Sequence, residues 1–201
     1  LEKIMEIIDL TYSLSDTITV YPGKTCFSKI ICAHYENGFR FDDMNLSTGI
    51  GTHMDAPSHV FPDGQTIDLI PLTQCHAPAC VLHLADQVQD DSDYEISVND
   101  ILEWEGNHGS IKADTIVLAD TGWGKYWGEQ KFCQQDEKGT CHFPGFSKGA
   151  AKILVDRKIK GVGIDTLSID TGNTTDSPAH SYFLKNKIII VENLDNLERL
   201  P

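Results

Sequence analysis

The stretch Gly49-Ile50-Gly51-Thr52-His53-Met54-Asp55-Ala56-Pro57-Ser58-His59 decides how this chain is read. It sets His53, Asp55 and His59 at alternate positions. In extended backbone successive side chains point to opposite faces, so His53 and Asp55 share one. Pro57 cannot donate to a sheet ladder and pushes Ala56 away from helical geometry. The expected local structure is a strand that presents His53 and Asp55 side by side, followed by a turn that carries His59. Two imidazoles and a carboxylate gathered this way suit a divalent transition metal such as Zn or Mn.

An H-x-D pair alone is a loose motif, met equally in hydrogen-bonded polar turns. Its surroundings sharpen it. Gly49 and Gly51 let backbone or ligand approach closely, and Pro57 stiffens the exit. The far end of the chain offers two more candidate ligands. His180 follows Ser177-Pro178-Ala179, which reads as a stiffened turn. Glu192 ends the apolar run Ile188-Ile189-Ile190-Val191, where a carboxylate is costly to bury unless it is paired or bound to a cation.

Working outward, Glu6 to Tyr12, Phe27 to Cys32, Phe41 to Leu46, Val81 to Leu84, Ile116 to Leu118, Val162 to Thr166 and Ile188 to Glu192 read as strands. Ile188 to Val191 is expected to be a central strand, buried on both faces. Tyr21-Pro22-Gly23 is a turn signal. Ser97 or Asn99 caps a helix running to about Trp104, and Ser147 caps a second one ending by Gly161. The run Asp86 to Glu95, with five acids and no base, reads as a solvated loop. His83 reads as a satisfied sheet residue. Strands outnumber helices, which favours an α+β layered domain with a mixed β-sheet, one domain over residues 1–201.

The same residues carry a family likeness. The stretch G-x-G-T-H-x-D-x-P-x-H resembles the signature H-x-G-T-H-x-D-x-P-x-H of the cyclase family of metal-dependent hydrolases, differing only at its first specified place. That family includes kynurenine formamidase and isatin hydrolase. Tyr21-Pro22-Gly23, Thr121-Gly122-Trp123, Phe143-Pro144-Gly145-Phe146, Gly163 to Asp170 and Val191-Glu192-Asn193-Leu194 resemble further family markers, in order along nearly the whole chain.

The resemblance implies a swivelling β/β/α domain with few flanking helices. It implies that His53, Asp55, His180 and Glu192 are metal ligands, that His59 is the acid/base group, and that Tyr21 lies at the substrate pocket. Asp165 and Asp170, which flank strand ends, are expected to orient ligands. The implied activity is amide hydrolysis by metal-activated water. N-formylkynurenine to kynurenine and formate is the best single expectation, and an isatin hydrolase or lactamase-type reaction the runner-up. The implied assembly is a homodimer or homotetramer. One position departs from the family. Where its signature begins with a histidine, a ligand in the two-metal members, this chain has Gly49. The ion count is therefore one or two, and a non-catalytic metal- or ligand-binding protein on the same scaffold is the alternative.

Composition bounds the partners. The chain has 201 residues, 40% hydrophobic and 23% charged, which is ordinary globular usage. Its net charge of −14 repels phosphate backbones, so nucleic acid and anionic membrane are not expected partners. A small aromatic amide fits better, with Tyr21, Trp123, Tyr126 and Trp127 as candidate pocket aromatics. No apolar run is long enough to span a bilayer. Leu1 to Tyr12 is too charged for a signal peptide, so a cytoplasmic location is expected, with secretion as the alternative. Six cysteines without a C-x-x-C pair argue against a cysteine zinc knuckle. Cys75 with Cys80, or Cys133 with Cys141, would pair in an oxidising compartment, and reduced thiols are expected in a cytosolic one.

Overall fold

The computed structural model of the chain describes residues 6–201. In chain order its strands are β1 Ser28–Ala33, β2 Phe41–Asn45, β3 His53–Asp55, β4 Ala79–His83, β5 Glu95–Ile96, β6 Ile116–Asp120, β7 Gln134–Gln135, β8 Cys141–His142, β9 Gly145–Phe146, β10 Gly161–Ile164 and β11 Ile189–Glu192. The helices are α1 Ala85–Val88, α2 Val98–His108, α3 Lys148–Asp156 and α4 Pro178–Lys185. Five strands form the main sheet in the order β3-β11-β10-β6-β4. β11, β10, β6 and β4 run parallel, and β3 joins the edge antiparallel to β11.

The period-2 pattern of these strands divides two layers. Val117, Ala119, Val162, Ile164 and Ile190 are buried against Ile101 of α2, Ala150 and Leu154 of α3, and Phe183 of α4. On the other face Val81 and Leu118 pack under Leu194 and Leu197 of the C-terminal segment, with Leu10 added from the N-terminal one. The mixed sheet and few helices match the expected class. The helix caps follow from local chemistry. Ser97 Oγ accepts from the Asp100 amide while Asp100 Oδ2 accepts from the Ser97 amide at 2.6 Å, a reciprocal box at the start of α2. Ser147 Oγ accepts from the Ala150 amide at 2.9 Å and starts α3.

Four expectations need correction. Glu6 to Tyr12 is irregular chain, not a strand. It is pinned by the Leu10 carbonyl, which accepts from the Asp195 amide, and by the Tyr12 amide, which donates to Thr52 Oγ1. Its one-sided packing through Leu10 leaves Ile7 exposed, so alternation there never meets a ladder. Asp86 to Glu95 is not all loop, because α1 buries Val88 and Glu95 begins β5. β11 lies next to the edge, and β10 is the middle strand. Ser177-Pro178-Ala179 is not a free-standing turn but the start of α4, with Pro178 in its first turn. All six cysteine thiols are free. None of the described helices is long and apolar enough to cross a membrane.

β1 and β2 pair only with each other among the described strands, and most of their residues are exposed. This hairpin rises between Lys24 and Ser47, both of which line the cavity described next.

Candidate metal centre

The antiparallel seam between β3 and β11 sets His53 opposite Glu192 and Asp55 opposite Ile190. His53 and Asp55 share a face of β3 as the alternation requires. His180, from the first turn of α4, completes the group. Nε2 of His53 is 3.4 Å from Glu192 Oε2 and 3.9 Å from Asp55 Oδ1. Nε2 of His180 is 3.0 Å from Glu192 Oε1 and 3.4 Å from Asp55 Oδ2. Side chains from residues 53–55 and 180–192 thus meet within one pocket wall. Asp55, His180 and Glu192 are buried, and His53 nearly so.

Each ring is held by its other nitrogen. Nδ1 of His53 lies 3.0 Å from the Gly51 carbonyl, and Nδ1 of His180 lies 2.6 Å from Asp170 Oδ2. Asp170 also accepts from the Ala179 and His180 amides, so one carboxylate both starts α4 and aims its histidine. It stands in for Ser177, whose side chain makes no cap bond. With Nδ1 of each ring turned to its own acceptor, each Nε2 faces two carboxylates and must carry either a proton or, as a lone pair, a cation. Lone pairs facing anions repel unless a cation or extra protons intervene. Asp55 Oδ2 sharpens the point, because it is buried and has no hydrogen-bond donor among the described residues. The Ile169 amide donates to Glu192 Oε1 at 2.7 Å, which leaves Oε2 for a ligand. Donor set and orphaned oxygen both fit a divalent cation. His53, Asp55 and Glu192 place ligand atoms within 4.8 Å of one another, and so do Asp55, His59 and His180.

Protons show how much negative charge the cluster must balance. Burial opposes charge on His53, yet Glu192, the Gly51 carbonyl and Asp55 outweigh it and raise its pKa to about 8. Burial likewise opposes charge on His180, but Asp170, Asp55 and Glu192 push it up to about 12. Glu192 is held down to about 2 by His180 and His53 against the effect of burial.

His59 stands apart from the buried group. Its side chain is 55% exposed, at the end of the short 3-10 turn Pro57–His59, with Nδ1 3.7 Å from Asp55 Oδ1. That position suits a group that exchanges protons with a substrate at the mouth. The cavity before these residues has a volume of about 300 Å³ and is also lined by Tyr21, Lys24, Ser168 and Ser177.

Other expectations divide. Asp170 holds the ring of His180, one of the four candidate ligands, whereas Asp165 bonds none of them. It accepts from the Thr121, Trp123 and Gly124 amides and so organises the turn after β6. Of the four aromatics, Tyr21 alone lines the cavity. Trp123 is fully buried, with Nε1 donating to the Phe132 carbonyl, and Trp127 stacks on Tyr12 at 3.7 Å between centroids. Tyr126 bonds Asp90 and Lys131. Large rings with a polar handle were drawn into the core and its rim instead. His83 is paired with Asp120 at 2.8 Å. Lys24 escaped notice in the sequence, although a cation just after a Tyr-Pro-Gly turn beside a pocket aromatic was a readable signal.

Comparison with known proteins agrees with this architecture. A family model described as Putative cyclase matches residues 8–171. The chain is 31% identical over 173 residues to isatin hydrolase from Roseibium aggregatum, a match covering 81% of this chain and 65% of that protein, just under two thirds of its length. It is 25% identical over 189 residues to kynurenine formamidase from Delftia acidovorans, covering 92% of this chain and 80% of that one. The solved structure of isatin hydrolase A from Labrenzia aggregata, bound to benzyl benzoate, superposes with a TM-score of 0.88 at 28% identity, covering 96% of this chain and 82% of that one.

Proposed function

This chain belongs to the cyclase family, and from that premise we propose that it is a metal-dependent hydrolase cleaving the amide bond of a small aromatic substrate. The reading rests above all on one observation. The four ligand candidates converge with both imidazole Nε2 atoms turned on two carboxylates and with Asp55 Oδ2 left without a donor. His53, Asp55, His180 and Glu192 hold the ion, Zn or Mn. A divalent cation held there would supply Lewis acidity, polarising a carbonyl and lowering the pKa of bound water toward about 7.

The remaining work falls to the chain's own side chains. Asp170 fixes the His180 ring. Tyr21 lies against the aryl group. His59, at the mouth with Nδ1 3.7 Å from Asp55 Oδ1, takes a proton from the attacking water. His59 then returns the proton to the leaving nitrogen as the C–N bond breaks. An arylformamidase reaction, N-formylkynurenine and water to kynurenine and formate, is the reading we favour. Opening of an isatin-type lactam is the second, favoured by the 31% identity to an isatin hydrolase.

Self-association belongs to the same reading. A two-stranded hairpin is marginal alone in water. This one exposes Ile30 (70%) and Met44 (63%) on opposite faces and Phe39 (60%) and Phe41 (55%) toward its tip, an apolar arm suited to a second copy of the chain as a homodimer or homotetramer.

The test is elemental analysis of the purified protein, followed by turnover with Zn and Mn on formanilide, N-formylkynurenine and isatin. A folded, metal-loaded sample inert on all three overturns the hydrolase and leaves a binding protein.

A further inference from the structure

Among the described residues Lys24 is the one lysine or arginine lining the candidate site, in a chain whose net charge is −14. Its backbone is fixed by the turn before it. The Lys24 amide donates to the Tyr21 carbonyl at 3.0 Å, Pro22 takes the second position, and Gly23 at φ +80° takes the third, the geometry of a type II turn. Tyr21 and Lys24 therefore enter the cavity from the two ends of one rigid turn, one as an aryl platform and the other as a cation.

The charge balance of the lining gives Lys24 a role. Asp55 and Glu192 bring two negative charges, which a divalent ion neutralises. Ser47, Thr48, Ser168 and Ser177 are neutral. Lys24 is then the surplus charge on the wall. A volume of about 300 Å³ lies at the small end of ligand pockets and admits a single substituted ring, so a substituent on that ring lies within reach of the wall.

We propose that Lys24 is a specificity-determining residue that makes this site select aryl amides bearing an anionic substituent, such as a ring carboxylate, over neutral ones. The inference rests on the amide-hydrolase reading and narrows its substrate class. In the corresponding reaction N-formylanthranilate and water give anthranilate and formate. Lys24 takes no part in bond breaking and acts on the bound carboxylate.

The experiment compares the metal-loaded parent with Lys24→Ala and Lys24→Arg. Turnover is read on N-formylanthranilate and on neutral formanilide, and binding of anthranilate and of aniline is read by calorimetry. With Lys24→Ala, kcat/KM should fall roughly fivefold further on N-formylanthranilate than on formanilide, through KM, and anthranilate binding should weaken by a similar factor. Lys24→Arg should keep the preference, and high salt should erode it in the parent. Equal losses on both substrates, or no loss, overturn the proposal while leaving the hydrolase intact. A parent inert on these two substrates and also on N-formylkynurenine and isatin, yet binding anthranilate in a Lys24-dependent way, retains the anion selectivity and overturns the hydrolase.

Discussion

A Cβ built on Gly49 would lie 3.3 Å from Nε2 of His53. The glycine therefore leaves the His53 ring free to face Glu192, and a side chain at 49 enters the ligand cluster directly. Gly49→His should place a third imidazole there, at the cost of a shift of a few tenths of an ångström by His53. Bound divalent metal per chain should rise, as measured by elemental analysis after dialysis. Gly49→Ala crowds without adding a donor and serves as the control. Unchanged metal content in Gly49→His counts against Gly49 as a missing ligand.

His59→Ala should separate chemistry from metal binding. The ring is half-exposed and lies outside the buried group, so its removal should spare metal content. Turnover should drop by about 10²- to 10⁴-fold, the usual worth of a positioned acid/base group. Parallel metal analysis and kinetics check this. A variant that loses its metal as well would make His59 a ligand, together with Asp55 and His180.

Asp55→Ala and Glu192→Ala should each abolish tight metal binding. Asp170→Asn should weaken it by about 10- to 100-fold, because it loosens His180 without removing a ligand. Competition with a chromogenic chelator ranks the three. Asp55→Ala binding metal as tightly as the parent would show the ligand set to be wrong.

Away from the site, Arg157 grips Glu105 with two bonds, Nε to Oε1 at 2.8 Å and Nη2 to Oε2 at 2.7 Å, and ties α3 to α2. That pairing holds the Glu105 carboxyl below its ordinary 4.5. As pH falls, the unfolded chain takes up the proton first. The stabilisation is therefore whole above about pH 4.5 and is lost as pH drops through the lower folded-state value. Glu105→Gln should cost about 2 kcal/mol at neutral pH and much less in acid. Thermal melts at several pH values measure the narrowing gap. A constant gap would show that the ion pair does not carry the difference.

Legibility in the sequence followed the range of the forces involved. β3, with His53 and Asp55 on one face, was readable because alternation and Pro57 act within a few residues. The starts of α2 and α3 were readable for the same reason, since Ser97 and Ser147 cap their own helices. α4 was missed because its start is held from a distance. Ser177 sits at φ 44° and makes no cap bond, while Asp170 binds the Ala179 and His180 amides. The aromatic residues misled because a tryptophan run after a strand reads alike for core and pocket. Only tertiary packing placed Trp123 under Phe132 and left Tyr21 at the opening. Glu6 to Tyr12 had the right alternation and no neighbouring edge to join.

The pairing of His53 with Glu192 has a mechanical corollary. Those two residues sit on adjoining strands that meet through three register pairs, from His53–Glu192 to Asp55–Ile190. An ion held between them would clasp the border of the sheet shut and make metal affinity and border attachment one linked equilibrium. Chelation should accordingly speed amide hydrogen exchange in residues 53–55 before it touches the interior strand β10.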